Sequence, residues 1–258
     1  MKFRDELSYN SHEMTPSMNN DIRKSLAELI GTFALLFLGA GSICLLPALG
    51  EGPTPLSMIA AVHGMTLAVM VSTTLHLSGA QLNPAISISL WAGGKQPFNQ
   101  TVLFTVAQLI GATLASFLLY VIFSQIGTQG FIASVQDKSF GMGVQSLNSQ
   151  LGVTPTLGLL LEIFLTFFLV IVYWGTVVDR RGPGQMASLA LGGVMATNIL
   201  MAEPLTGASM NPARTFAPAL ISGKWSAHWV FWVGPIIGAV VAAILYKSFF
   251  LSQEADEA

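Results

Sequence analysis

Two stretches decide how this chain reads: Ser78-Gly79-Ala80-Gln81-Leu82-Asn83-Pro84-Ala85 and Thr206-Gly207-Ala208-Ser209-Met210-Asn211-Pro212-Ala213-Arg214. In each, Asn-Pro stands at the front of a short apolar run. An Asn side chain caps free backbone N–H groups, and Pro fits the first helical position, where its missing donor is not needed. Each stretch therefore starts a helix. One copy would be an ordinary helix cap. Two copies at corresponding places in two hydrophobic halves point to a duplicated unit.

The composition sets the surroundings. The chain has 258 residues, 52% apolar and 9% charged, against about 25% charged in a typical soluble domain. The apolar residues fall in runs nearly free of charge, each about the 20 residues needed to cross a bilayer. An integral, multi-pass membrane protein is expected. A net charge of −2 gives no sign of a nucleic-acid partner. The single cysteine, Cys44, excludes an intrachain disulfide and any multi-cysteine metal site, and its apolar setting suits a packing role.

In order, the chain reads as a polar tail (1–25), a first repeat (26–123), a connecting loop rich in Gly, Ser and Gln (124–155), a second repeat (156–250) and an acidic tail (251–258). Full spans are expected at about 26–46, 56–76, 100–123, 156–178, 185–201 and 228–250. Two runs, 83–91 and 211–221, are too short to cross. Basic residues mark the cytoplasmic side. Arg23, Lys24, Lys95, Arg180, Arg181 and Lys247 all fall on one side of a six-span chain. That side, with both termini, is expected in the cytoplasm.

The halves match beyond Asn-Pro-Ala. Glu28-Leu29-Ile30-Gly31-Thr32-Phe33 resembles Glu162-Ile163-Phe164-Leu165-Thr166-Phe167, and Ile110-Gly111-Ala112 matches Ile237-Gly238-Ala239. Three spans per half is an odd number, so the second half enters from the opposite face. The expected fold is an all-α membrane protein, with six transmembrane helices and two re-entrant half-helices in an inverted repeat. Small residues every four positions, Ala107, Gly111, Ala115 and Gly234, Gly238, Ala242, would let helix backbones approach closely. A polar loop cannot face lipid, where each bare backbone group costs several kcal/mol. The two loops before Asn-Pro-Ala must therefore sit inside the bundle, beside water. Inverted symmetry then brings the half-helix N-termini together, each carrying roughly +0.5 of a charge. Cations are repelled there, and Asn83 and Asn211 can donate N–H to a passing oxygen.

These residues resemble the aquaporin (major intrinsic protein) family across nearly all of 26–250. The resemblance rests on six spans, paired Asn-Pro-Ala, Arg214 after the second copy, and Glu28 and Glu162 in spans one and four. That half-helix dipoles and an Arg exclude protons and cations is the general account of aquaporin-type pores. The resemblance implies a passive water channel and a homotetramer with one pore per subunit. It places Asn83, Pro84, Ala85, Asn211, Pro212 and Ala213 at the pore centre, and His63, Ile199, Ala208 and Arg214 at a selectivity filter. Glu28 and Glu162 would brace the re-entrant loops. The quartet departs from strict water channels, which usually have Phe where His63 stands and His where Ile199 stands. It looks more like plant vacuolar-membrane aquaporins, with a filter open to ammonia, hydrogen peroxide or urea as well as water. Thr215, Ala219, Phe231 and Trp232 resemble water-conducting rather than glycerol-conducting members. Gln81 stands where many members have His. Ala208 stands where mercury-sensitive members often carry Cys, so no mercury block is expected through that position.

Other readings stay open on the residues alone. One is a channel mainly for ammonia, hydrogen peroxide, urea or glycerol. Another class is a proton-coupled transporter using Glu28, Glu162 and the histidines, since intramembrane carboxylates mark ion sites by default. His76 either lines the vestibule or acts as a pH gate. The chain shows no convincing nucleophile–base set, metal-ligand cluster or phosphate loop, so no enzyme activity, cofactor or metal is expected. Nothing in the sequence chooses between a plasma or inner membrane and a vacuolar one.

Overall fold

The structure is a computed structural model, and it describes residues 20–251. The chain runs through α1 (Asn20–Leu49), α2 (Leu56–Ser78), α3 (Pro84–Ala92), α4 (Phe98–Phe123), α5 (Gln129–Gln136), α6 (Pro155–Tyr173), α7 (Ala187–Thr206), α8 (Pro212–Ser222) and α9 (Val230–Phe249). Among the described residues, six helices are long and apolar enough to cross a membrane. The two remaining helices that follow Asn-Pro, α3 with 9 residues and α8 with 11, are half-spans.

The bundle is apolar outside and polar at its axis. Leu38, Val69, Ile110, Phe164, Leu200 and Ile244 face outward, whereas Glu28, Gln108, Glu162 and Arg214 are buried. That inversion is what a lipid surround requires, because only the interior can satisfy polar groups. Glycines set the closest helix contacts. Gly111 of α4 lies against the Leu29 carbonyl of α1, and Gly238 of α9 lies against the Ile163 carbonyl of α6. The two pairs are related by the repeat, and each leaves no room for a Cβ. Gly64 of α2 and Gly192 of α7 face each other's carbonyl groups and join the halves. Each half-helix also crosses over: α3 packs on α9 and α8 packs on α4.

Two assignments differ from the sequence reading. Residues 20–25, expected in the polar tail, form the first turns of α1. Their polarity places them beyond the apolar run without stopping the helix. The rest of both expected tails, 1–19 and 252–258, lies outside the described residues. Residues 124–154 are not loop throughout. Thr128 caps α5 by accepting from Phe131 N–H, and Phe131 and Val135 seat that helix on Ala40, Cys44 and Leu119. Only these two residues of its eight are buried, too few to give a readable period. At the other end, α6 widens into a π-helical turn at Trp174–Val178, where Trp174 Nε1 donates to Ser89 Oγ at 3.3 Å.

Candidate functional site

The two re-entrant loops carry the inverted repeat into the backbone. Left-handed φ angles occur at Gly79 (90°), Ala80 (49°) and Leu82 (49°), and again at Gly207 (82°), Ala208 (42°) and Met210 (55°). Such angles are unfavourable for residues with a Cβ, so the surroundings must hold them. Two buried carboxylates do so. Glu28 Oε1 accepts from Ser78 Oγ (2.6 Å) and Gln81 N (2.9 Å), and its Oε2 accepts from Leu82 N (2.6 Å) and Gln108 Nε2 (2.8 Å). Glu162 Oε1 accepts from Thr206 Oγ1 (2.7 Å) and Ser209 N (2.9 Å), and its Oε2 accepts from Met210 N (2.8 Å). Each carboxylate thus takes three donors from its re-entrant loop and the residue that opens it, and Glu28 takes a fourth from Gln108 of α4, the geometry of a brace.

The half-helices then meet. Asn83 Oδ1 accepts from Ala85 N at 2.9 Å, and Asn211 Oδ1 accepts from Ala213 N at 3.0 Å and Arg214 N at 3.3 Å. Pro84 and Pro212 occupy the first helical positions. With each oxygen turned inward, each amide nitrogen points across the axis. Asn83 Nδ2 donates to the Met210 carbonyl at 2.8 Å, and Asn211 Nδ2 donates to the Leu82 carbonyl at 2.9 Å. One hydrogen on each NH2 remains for whatever lies between them. What lies between is a cavity of about 20 Å³ lined by Asn83, Asn211, Gln81, Leu67, Met195 and other side chains. A buried water needs roughly 10–15 Å³ of this kind of space, so the cavity fits one.

Toward the mouth opposite the described chain ends, Arg214 is held on three sides. Nη1 donates to the carbonyls of Gly207 (3.0 Å) and Ala208 (2.8 Å), and Nη2 lies 3.3 Å from His63 Nε2. His63 Nδ1 sits 2.8 Å from the Ile59 carbonyl, which can only accept, so Nδ1 carries the proton and Nε2 presents its lone pair to Arg214. The His63 ring is packed against Gly39, where any Cβ would come within 2.5 Å of Nε2. Beyond Arg214 opens a larger cavity of about 510 Å³, lined by Gly207, Glu203, Gln145, Lys224 and Trp225 among others.

The structure thus brings Asn83 and Asn211 to one cavity, each bonded to the opposite loop, and sets His63 against Arg214. Ile199 and Ala208 are fully buried in one apolar cluster. Ala85, Ala213 and Ala219 are likewise buried at 0% exposure. Thr215 shares a short hydrogen bond with Ser209, which ties it to the loop. Phe231 is buried, and Trp232 donates from Nε1 to His228 Nε2 at 3.1 Å. His76 is exposed at the end of α2. Cys44 is buried, its thiol directed to the Ala40 carbonyl at 3.3 Å.

Several contributors were invisible to pattern reading. Gln108 reaches Glu28 from α4, and the Tyr173 hydroxyl donates to the Gly79 carbonyl at 2.7 Å. Gln145, from the long connection, packs its stem on Gly207 of the second re-entrant loop. Gly39 makes room for His63. None of these lies in a motif; for Gln108, Tyr173 and Gly39 the available signal was a polar or glycine residue set in an apolar helix, and Gln145, in the connection, had none.

Inside-out helices around an axis of fixed donors and acceptors define a membrane channel protein. The family model described as Major intrinsic protein matches residues 15–246, and the chain belongs to that family, whose members are channels and not enzymes. It is 41% identical over 251 residues to aquaporin TIP4-4 of Zea mays, covering 95% of this chain and 94% of that one. It is 38% identical to aquaporin NIP1-1 of Zea mays, covering 88% and 74%. Among solved structures it is similar to the aquaglyceroporin from Plasmodium falciparum, with a TM-score of 0.75, 27% identity, and coverage of 89% of this chain and 96% of that one.

Proposed function

We propose that the chain is a passive water channel that excludes protons and cations. The observation that carries this reading is the crossed pair of Asn amides over a cavity of about 20 Å³. Two half-helix N-termini make that point positive, which disfavours cations. A water there receives hydrogen bonds from Asn83 and Asn211, which turns its oxygen to the pair and its hydrogens away from them. His63, Ile199, Ala208 and Arg214 form the filter. The contact between Arg214 and His63 supports a narrow opening on that side. Glu28 and Glu162 brace loops rather than carry protons, since loop donors occupy their oxygens. Thr215, Ala219, Phe231 and Trp232 favour water over glycerol as permeant. The protein is a homotetramer with both termini in the cytoplasm.

A second permeant class has specific support. Ile199 and Ala208 give one wall of the filter no hydrogen-bonding group, which suits ammonia and, less well, urea. Stopped-flow light scattering on proteoliposomes, comparing water, glycerol, urea and ammonia, tests both readings. Water and ammonia flux above empty liposomes, with little glycerol flux, is expected. Water flux equal to that of empty liposomes would overturn the proposal.

A further inference from the structure

The geometry points to Gln81 as a third pore residue at the central cavity: a fixed acceptor that takes a hydrogen from the permeating molecule. This deepens the water-channel reading above and rests on it. Gln81 lines the same small cavity as Asn83 and Asn211. It is 2% exposed. Its amide cannot turn freely. Nε2 donates to Gln96 Oε1 at 2.5 Å, and Gln96 Nε2 donates on to Thr101 Oγ1 at 2.9 Å. The Thr101 hydroxyl has the carbonyls of Pro97 (3.3 Å) and Ser87 (3.4 Å) as its acceptors. Hydrogen bonds therefore run in one direction from Gln81 to the backbone. The chain of donors fixes which end of the Gln81 amide is free, and that end is Oε1.

Oε1 is buried without a hydrogen-bond partner. Buried polar atoms are nearly always paired, so an orphan calls for a ligand or a water. Gln81 is one of the residues that line the central cavity, and the assignment sets this atom toward it. The other polar groups there are the two Asn amides, each with one N–H still unassigned, and Ser209, whose hydroxyl is already bonded to Thr215 and the Asn211 carbonyl. The cavity thus offers two donors and one acceptor. A small neutral molecule with both a lone pair and a hydrogen matches that set, as water and ammonia do. An anion would use the donors but meet the negative end of the Gln81 carbonyl dipole. Gln81 therefore offsets the attraction that two positive helix ends would otherwise exert on anions.

The test compares wild type with Gln81→Met, which keeps length and volume but removes the acceptor, and Gln81→His, which keeps an acceptor nitrogen. Each is reconstituted, checked for folding by size-exclusion profile and helical circular dichroism, and assayed for water flux per protein and its temperature dependence. Gln81→Leu stands in if the Met variant misfolds. A nitrate gradient with a voltage-sensitive dye reports anion leak. Loss of the acceptor should cut water flux roughly three- to tenfold, the scale of one hydrogen bond, steepen its temperature dependence and raise nitrate leak. The His variant should keep flux within about twofold of wild type on the same scale. Two results would overturn the assignment alone: a conducting wild type with an unchanged Met variant, or equal losses in the Met and His variants, as a purely structural tie to Gln96 would give. A wild type that conducts no water would overturn both this assignment and the channel reading.

Discussion

Arg214 Nη2 and His63 Nε2 lie 3.3 Å apart, although 151 residues separate them in sequence. The contact spans the two repeats, since His63 is on α2 and Arg214 on α8. It fixes the guanidinium on one side while the Gly207 and Ala208 carbonyls fix it on the other. A charged group deep in a membrane protein must be paired or face water, and this one has three acceptors: the Gly207 and Ala208 carbonyls and His63 Nε2.

Removing that charge should loosen selectivity more than it alters water flow. Arg214→Val is expected to raise urea and proton leak by roughly tenfold or more, which corresponds to losing about 1.4 kcal/mol of barrier. Water flux should stay within a few-fold. Proteoliposome shrinkage with urea and a pH-sensitive dye reads both quantities. Unchanged selectivity would show that Arg214 does not line the filter.

Gly39 should behave as a filter residue at one remove. A methyl there would stand 2.5 Å from His63 Nε2, so Gly39→Ala must displace the ring. Losing its bond to Arg214 is worth about 1 kcal/mol, which should show as about fivefold in urea leak. The helix itself should tolerate Ala well. Urea leak should therefore rise while water flux stays within a few-fold, as for Arg214→Val.

The two carboxylate braces should differ in what their loss does. Glu28→Gln leaves at least one of four donors unpaired, at roughly 1–3 kcal/mol. At about 2–4 °C per kcal/mol for a chain of this size, Tm should drop by roughly 2–12 °C. Glu162 has three donors in place of four, because the position matching Gln108 in the second repeat is Pro235. It also feels the Arg214 charge. Glu162→Gln should lower Tm and shift urea selectivity as well, whereas Glu28→Gln should change stability alone. Scanning fluorimetry paired with solute flux separates the two.

On the side of the chain ends, Asp179 ties the α6–α7 connection to α9. Its carboxylate accepts from Arg181 Nε (3.0 Å) and Nη2 (2.8 Å) and from the Tyr246 hydroxyl (3.2 Å), and Arg181 also donates to the Phe250 carbonyl. The Arg181 hydrogen bonds hold the Asp179 carboxyl below its ordinary value of 3.8. A depressed carboxylate stabilises the folded state fully above its unfolded pKa and loses that contribution as pH falls through the folded one. The tie should persist from neutral pH down through the ordinary carboxylate range and fail only below it. Asp179→Asn should expose residues 179–184 to proteolysis already at neutral pH.

How much of this could be read from the chain depended on repetition. Asn83 and Asn211, and Glu28 and Glu162, occur twice in matching contexts, so the second copy vouched for the first. Spans were legible because lipid enforces their length and apolarity. The boundaries that were missed are those where lipid does not dictate the residue, as at 20–25 and in α5. Single long-range partners had no such support. Gln108, Tyr173 and Gln145 act across dozens of residues through one bond or one packed face, and nothing local marks them. The left-handed backbone at Ala80, Leu82, Ala208 and Met210 was likewise hidden, because side-chain type normally argues against it.

The sharpest check is osmotic water flux through proteoliposomes carrying wild type, Asn83→Leu or Asn211→Leu at matched, folded protein density. Each Leu removes a cap, a bond across the axis and a donor to the file. Both variants should fall close to empty liposomes while wild type conducts well above them. Two folded Leu variants conducting like wild type would contradict the placement of the pore between Asn83 and Asn211.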